Sequence, residues 1–413
     1  MRLLLGLAVG SVLGLSANAL AAGQPWLNGF IRYVTEPLGS IFIRALLCLI
    51  IPIVFSALVV GIAELDLKHL GRLGARTLGY TVLVSSIAVL LGLVLVNTLQ
   101  PGAGASGDLI AHARKAVEAA PKPIGSSPID LLVAMVPNNP VQAAANGDML
   151  AFVVFSIFFG IGLAITKTEP SQALRRGIAG LFDVCMSLIG LVLKLGPFGV
   201  GALMFTTTAR VGLSILVQLA AYVAVVILGL GLHLFGVYGL LLRSIARRSP
   251  IAFFRGSRLA LATAFSTASS NATLPTALHV ADEHLHLPRH VSRFVLTAGA
   301  TMNQNGTALF EGVTVLFLAQ VYGVELGLAQ QVLVMAICIL AGIGTAGVPA
   351  GSLPVIAMIL GLVGVPPEGI GLLLGVDRLL DMCRTTVNVG GDLVVAALVA
   401  RGEPAESASP TLN

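Results

Sequence analysis

Residues 375–400 read GVDRLLDMCRTTVNVGGDLVVAALVA. The stretch has the length and apolar ends of a membrane-crossing helix, yet Asp377, Asp381, Arg384, Asn388 and Asp392 lie inside it, spaced 4, 3, 4 and 4. At 3.6 residues per turn these five side chains share one face, within about a quarter of a turn. A charge at the centre of a bilayer costs roughly 2.5–3.5 kcal/mol even on the most lenient scale, so such a stripe needs partners, water or ions. An Asp381–Arg384 ion pair, with Asp377 near exterior water, would explain the upper part of the stripe. It would leave Asn388 and Asp392 unexplained. A carboxylate and an amide at that depth suit a hard cation, and the whole face suits a small charged solute.

The rest of the chain carries the same signature. Of 413 residues 56% are apolar and 10% charged, against about 25% charged in soluble domains. Aromatics are sparse and the apolar residues run on rather than alternate, so helices are expected rather than a barrel. Apolar runs of about 20 residues, enough for a hydrocarbon core of roughly 30 Å, lie at Leu3–Ala21, Leu38–Ala63, Leu73–Leu99, Met149–Ile165, Ile178–Thr208 and Val211–Leu242. The first of these resembles a secretory leader; a retained helix fits the topology better. Four single cysteines in apolar surroundings imply neither disulfides nor a metal site.

Beyond Pro250 two apolar stretches are broken by small and polar residues: STASSNATLP at 266–275 and GIGTAGVPAGSLP at 342–354. Irregular backbone at membrane depth is tolerated where protein buries it or where it lines a polar cavity. Both are therefore expected to be re-entrant hairpins. With spans at Val291–Tyr322 and Glu368–Ala400, this makes an all-α membrane protein of eight transmembrane helices plus two hairpins. Paired broken segments point to a binding site near the midplane. Ser269 and Ser270 at one hairpin tip, and Ser352 with Pro354 at the other, are placed to open helices whose free amides face an anion.

Within TAGATMNQNGTALFEG, at 297–312, amides and glycines fall in mid-span. Packing of helices through small polar residues is one explanation. An unwound turn whose carbonyls hold cations is the other.

The net charge of +5 does not indicate nucleic acid, because the basic residues sit in short segments between apolar runs. With the N-terminus inside, fifteen Lys or Arg fall on the cytoplasmic side and six outside, which favours both termini in the cytoplasm. Residues 100–147 form a long external connection with room for one short helix, and 401–413 a disordered tail.

These motifs, in this order, resemble the dicarboxylate/amino acid:cation symporter family, which includes the glutamate transporters. The similarity runs through LLCLIIPIVFSALVVGI (46–62), PNNPVQAAANGDMLAFVVFSIFFGIGL (137–163), both broken stretches, NQNGT (303–307) and DRLLDMCRTTVNVGGD (377–392). The resemblance implies an elevator-type transporter with inverted repeats in a bacterial-type inner membrane, assembled as a homotrimer. Residues 1–72 and 100–210 would supply scaffold helices and the external loop, while 73–99 and 211–400 would form the transport domain.

It also implies roles. Asp381 would accept from a substrate amino group and Arg384 would pair with a side-chain carboxylate, with Ser269, Ser270, Thr307, Val348, Ser352, Thr385 and Asn388 lining the remainder. One sodium would sit among Gly299, Asn303, Asn388 and Asp392, and a second among Thr301, Gly342, Ile343 and Thr345. No organic cofactor is implied; sodium or protons would be the coupling ions.

Departures from the family pattern accompany these roles. Asn305 stands where the family usually has aspartate, and Thr81 and Val84 replace a tyrosine and a threonine of a third sodium site. Ser352 replaces a glycine, and Ala268 an arginine. A neutral amide at 305 is expected to remove the third site, so that fewer sodium ions are coupled or protons substitute. The expected activity is uptake of aspartate or glutamate with cations. The nearest alternative is a C4-dicarboxylate carrier, proton-coupled in one version; Asp381 argues against it, since a carboxylate repels a diacid that lacks an amino group. An intramembrane aspartyl protease would need YD and GxGD motifs, which are missing. A channel would have no use for a side-chain-specific pocket.

Overall fold

The computed structural model describes residues 2–63, 72–104, 133, 136–146, 149–344 and 352–401. Among them there is no strand. The chain enters through α1 (Arg2–Ala21) and α2 (Pro25–Phe30). A π-helical turn at Ile31–Thr35 leads into α3 (Glu36–Leu47), α4 (Ile50–Ala63) and α5 (Arg72–Leu99). A short α6 (Pro140–Asn146) precedes α7 (Met149–Ile165), α8 (Glu169–Val211) and α9 (Ser214–Gly231), which continues through a π-helical turn, Leu232–Val237, into α10 (Tyr238–Ser244). Then come α11 (Pro250–Thr267), α12 (Ser270–Glu283), α13 (Arg289–Met302), α14 (Asn305–Val321), α15 (Leu328–Gly344), α16 (Ser352–Leu362) and α17 (Leu374–Ala400). Five stretches of the described residues are long and apolar enough to cross a membrane: Pro25–Ala63, Arg72–Leu99, Glu169–Val211, Ser214–Ser244 and Leu374–Ala400.

Two starting points differ from the sequence expectation. The second span begins at Pro25 rather than Leu38, and the fifth at Glu169 rather than Ile178. In α8 the added turns, EPSQALRRG, are polar, so hydropathy does not register them. They are helical because Thr168 caps the end, its hydroxyl accepting from Ser171 N at 3.3 Å, with proline in the first turn. At 43 residues α8 is about 65 Å long at 1.5 Å per residue, twice a hydrocarbon core. Its polar start therefore reaches water.

Small residues set the outer packing. Gly6, Gly10 and Gly14 of α1 lie one turn apart against Pro197, Gly201 and Phe205 of α8, so close that a Cβ on any of them would meet backbone. Such stripes let helices approach where lipid gives no hydrophobic drive. Leu5, Val12, Leu195 and Phe198 of the same pair remain exposed, as lipid-facing or subunit-facing side chains would.

Inside lie α14, which buries all of its residues but Gln320, and α17, which buries 20 of its 27. Around them pack α5, α11, α12, α13, α15 and α16. The first broken stretch is a hairpin: α11 ends at Ala268 in the left-handed conformation (φ 51°), and Ser269 caps α12 by accepting from Ala272 N at 3.3 Å. The second broken stretch separates α15 from α16; its residues 345–351 lie outside the described residues, and with them the expected site residues Thr345 and Val348. The expected single span at Val291–Tyr322 is two helices, interrupted at Asn303 and Gln304. Most of the external connection and nearly all of the tail also lie outside the described residues.

Candidate functional site

The stripe on α17 faces inward. Asp377, Asp381, Arg384, Asn388 and Asp392 are all buried, and three neighbouring elements supply their partners. Arg384, 1% exposed, is the centre of the upper part. Its Nη2 donates to Asp381 at 2.8 Å and to Asp377 at 3.2 Å, and its Nη1 donates to Ser352 Oγ, at the start of α16, at 2.7 Å. The guanidinium lies 3.9 Å from the centre of the Phe310 ring on α14, a cation–π contact strengthened by the burial of both groups. Its Nε–H has no hydrogen-bond partner among the described residues. A buried guanidinium with an unused donor is an open position for an acceptor.

Two details differ from expectation. Asp377, placed near exterior water in the ion-pair explanation, is 7% exposed and part of the cluster. The Asp381–Arg384 pair is present, but shared, since Arg378 also approaches Asp381 at 3.9 Å from a half-exposed position.

One turn further along, the interruption between α13 and α14 meets α17. Asn388 Oδ1 accepts from Gly306 N at 2.7 Å and Thr307 N at 3.3 Å, capping the start of α14. Its amide donates to Gln304 Oε1 and to Thr307 Oγ1. Gln304 in turn ties the turn down, its side chain donating to Ala300 O at 3.0 Å and its backbone N to Gly342 O, at the end of α15, at 3.2 Å. Gln304 thus joins both halves of the site, a function its amide alone did not reveal.

Below this, Asn303 Nδ2 donates to Asp392 Oδ1 at 2.8 Å, while Asn303 Oδ1 is buried without a partner. Gly299 is required here: a Cβ would stand 2.5 Å from Asp392 Oδ1. A carboxylate, an unpaired amide oxygen and the backbone of an interrupted helix form an oxygen-rich set that fits a monovalent cation. Gly299, Asn303 and Asp392 are therefore brought together, while Asn388, one turn earlier on α17, engages Gln304, Gly306 and Thr307 instead. Of the second expected set, Gly342 is joined to the unwound turn, and Thr301 donates to Ala298 O at 3.0 Å. Thr385, Thr307 and Ser270 are buried, and Ser269 is partly so.

Asn305, the departure from the family pattern, is held in a closed chain. Ser85 of α5 donates to Asn305 Oδ1 at 2.6 Å, Asn305 Nδ2 donates to Tyr238 Oη at 3.1 Å, and Tyr238 donates to Val387 O at 3.1 Å. Thr81, one turn before Ser85, has a buried hydroxyl without a partner. Glu311, 0% exposed on α14, has neither oxygen hydrogen-bonded. Neither Glu311 nor the Ser85–Tyr238 pair was expected from sequence.

The sequence profile of the sodium:dicarboxylate symporter family matches residues 1–402. The chain is similar to the proton/sodium-glutamate symport protein of Bacillus caldotenax, 32% identical over 96% of this chain and 93% of that one. It is also similar to the proton/glutamate-aspartate symporter of Escherichia coli (strain K12), 32% identical over 97% of this chain and 92% of that one. Excitatory amino acid transporter 4 of Mus musculus is 31% identical over 89% and 77%. With a match across nearly its whole length, the chain belongs to the sodium:dicarboxylate symporter family.

Proposed function

We propose that this protein is a secondary active symporter that takes up aspartate or glutamate together with cations. The observation that carries the proposal is Arg384: buried between two carboxylates, stacked on Phe310, and left with an unpaired N–H. A planar, buried guanidinium recognises a carboxylate through charge-assisted hydrogen bonds. Asp381 beside it suits an ammonium, and the two together fit a solute carrying both groups. The relatives named above are, by their names, glutamate or glutamate–aspartate symporters and an excitatory amino acid transporter.

In this proposal Ser269, Ser270, Thr307, Val348, Ser352, Thr385 and Asn388 complete the substrate pocket. One sodium binds at Gly299, Asn303, Asn388 and Asp392, and a second near Thr301, Gly342, Ile343 and Thr345. The unpaired Asn303 Oδ1 supports the first. The closed chain at Asn305 supports a missing third site, since its amide hydrogens point where a cation would need oxygens. Glu311 supports protons as a coupling ion, being a carboxyl buried in mid-helix with neither oxygen hydrogen-bonded among the described residues.

The interrupted α11–α12, α13–α14 and α15–α16 pairs support eight spans with two re-entrant hairpins and inverted repeats. On that architecture the first, second, fourth and fifth spans form the scaffold of a homotrimer, and the rest moves as an elevator. Both termini lie in the cytoplasm.

The test is uptake of labelled aspartate, glutamate and succinate into proteoliposomes, first under a sodium gradient and then under a pH gradient. Aspartate or glutamate should lead under at least one gradient. Succinate uptake above both would favour the C4-dicarboxylate alternative and remove the role given to Asp381.

A further inference from the structure

Arg255 and Arg258 lie on α11, away from the site above, and open onto a cavity of about 920 Å³. Ser249 and Ile251 at the start of α11, Leu259 further along it, and His284 at the end of α12 complete its wall. Neither arginine makes an ion pair or hydrogen bond among the described residues. No carboxylate lines the cavity. Asp282 is engaged elsewhere, with Arg289 at 3.6 Å and Ser292 at 3.0 Å, and Glu283, though next to His284 in sequence, is not part of the wall. Two uncompensated guanidiniums three residues apart therefore face one opening. Its chemistry asks for an anion with several oxygens, and a phosphate is the natural partner for arginine.

The same helical face identifies which phosphate. Ile251 is 83% exposed, Leu259 is 47% exposed and Phe265 is 41% exposed; Leu259 lines the cavity itself, and Phe265 lies two turns beyond Arg258 on the same side of α11. From Arg258 to Phe265 the helix rises about 10 Å, a depth within one leaflet of a hydrocarbon core of roughly 30 Å. Beyond Ile251 the face is thus basic at Arg255 and Arg258 and apolar from Leu259 toward the helix middle, matching a headgroup above its acyl chains. A soluble phosphate would use only the basic end.

We propose that this cavity binds the phosphate headgroup of an anionic phospholipid, whose acyl chains lie along Leu259 and Phe265. Basic pockets between membrane helices hold such headgroups, each surface Lys or Arg contributing about fivefold in affinity. The proposal does not depend on which solute the protein carries.

Native mass spectrometry of the intact purified chain, titrated with phosphatidylglycerol or phosphatidylcholine, tests it. Phosphatidylglycerol should be retained preferentially, and R255Q/R258Q should weaken it about thirtyfold. R175Q/R176Q, which removes two exposed arginines from α8, should leave it unchanged. L259S should also weaken phosphatidylglycerol, which separates lipid binding from simple charge. Equal retention of the two lipids by the unaltered chain, or equal phosphatidylglycerol affinity in R255Q/R258Q, would overturn the proposal. So would full displacement of the lipid by inorganic phosphate at the same concentration, which would reassign the cavity to a soluble anion.

Discussion

Replacing Asn305 by aspartate asks whether a hydrogen-bond chain has taken the place of a cation. In the protein every member of that chain is neutral: Ser85 donates to Asn305, Asn305 to Tyr238, and Tyr238 to the Val387 carbonyl, at 2.6, 3.1 and 3.1 Å. N305D keeps the acceptor that Ser85 uses but turns the donor facing Tyr238 into an acceptor. Tyr238 has one proton, so it can satisfy the carboxylate or Val387 O, not both. One hydrogen bond is lost, about 1 kcal/mol, and an uncompensated charge is left fully buried, roughly 3–5 kcal/mol. A sodium ion between the new carboxylate and the freed Val387 O would offset much of this, about 2.7 kcal/mol at one hundred times its dissociation constant.

N305D should therefore unfold at a lower temperature than the unaltered protein in choline, and regain about half of the loss in sodium. Its initial uptake rate should also depend on sodium more steeply, by about one ion. An unchanged sodium slope together with an unchanged sodium-dependent shift in melting would refute the idea that the amide displaces a cation.

Three further outcomes follow from the same site. Arg384→Ala removes the guanidinium and leaves Asp377 and Asp381 facing the substrate, so aspartate affinity, measured by isothermal titration, should fall by roughly 10²–10⁴, two charge-assisted bonds' worth; an affinity within threefold of the original would exclude carboxylate pairing. Gly299→Ala places a Cβ about 2.5 Å from Asp392 Oδ1, which should push the carboxylate off Asn303, reduce sodium affinity about tenfold and, by overpacking a buried contact, also lower the melting temperature in choline. Glu311→Gln keeps the shape but cannot load or release a proton. Uptake by the unaltered protein should rise as external pH falls under an imposed pH gradient, and in E311Q that dependence should be flat while sodium-driven uptake persists; a retained pH response would assign the proton elsewhere.

How much of this was legible in the sequence depends on range. Helices and their interruptions are local: the apolar runs, Ser269 as a cap, and the amides at 303–305 each announced the element they form. The two polar turns that start α8 were not legible, because hydropathy measures contact with lipid and those turns extend beyond it. Within the site, the five residues of α17 share a face because of helix geometry alone. Their partners are long-range. Ser85 and Tyr238 lie more than 60 residues from Asn305, and nothing in their neighbourhoods marks them. Asp377 is buried for the same reason: its pairing with Arg384 and the packing of α14 against α17 enclose it, which its position near the end of its own helix does not announce. Glu311 was visible as a letter; its isolation was not.

The state of Arg384 also bears on how substrate binding is linked to the segment around α16. In the structure the guanidinium spends one donor on Ser352 Oγ, the first residue of α16, and leaves Nε–H unpaired. A substrate carboxylate offers two charged acceptors. Hydrogen bonds to a charged acceptor are roughly twice as strong as those to a hydroxyl, so in the function proposed above the carboxylate would displace Ser352 from Nη1, while Nε–H, on the other edge of the guanidinium, stays open to a second acceptor. Binding is then an exchange of acceptors within a closed site, which needs no extra charge to be buried alone. The serine released by that exchange sits at the N-terminus of α16, so any preference of α16 for one position with the bond and another without it becomes, by linkage, a preference of the substrate. A neutral solute brings no acceptor strong enough to displace the hydroxyl. Selectivity for an acidic solute and the position of α16 thus rest on the same nitrogen atom.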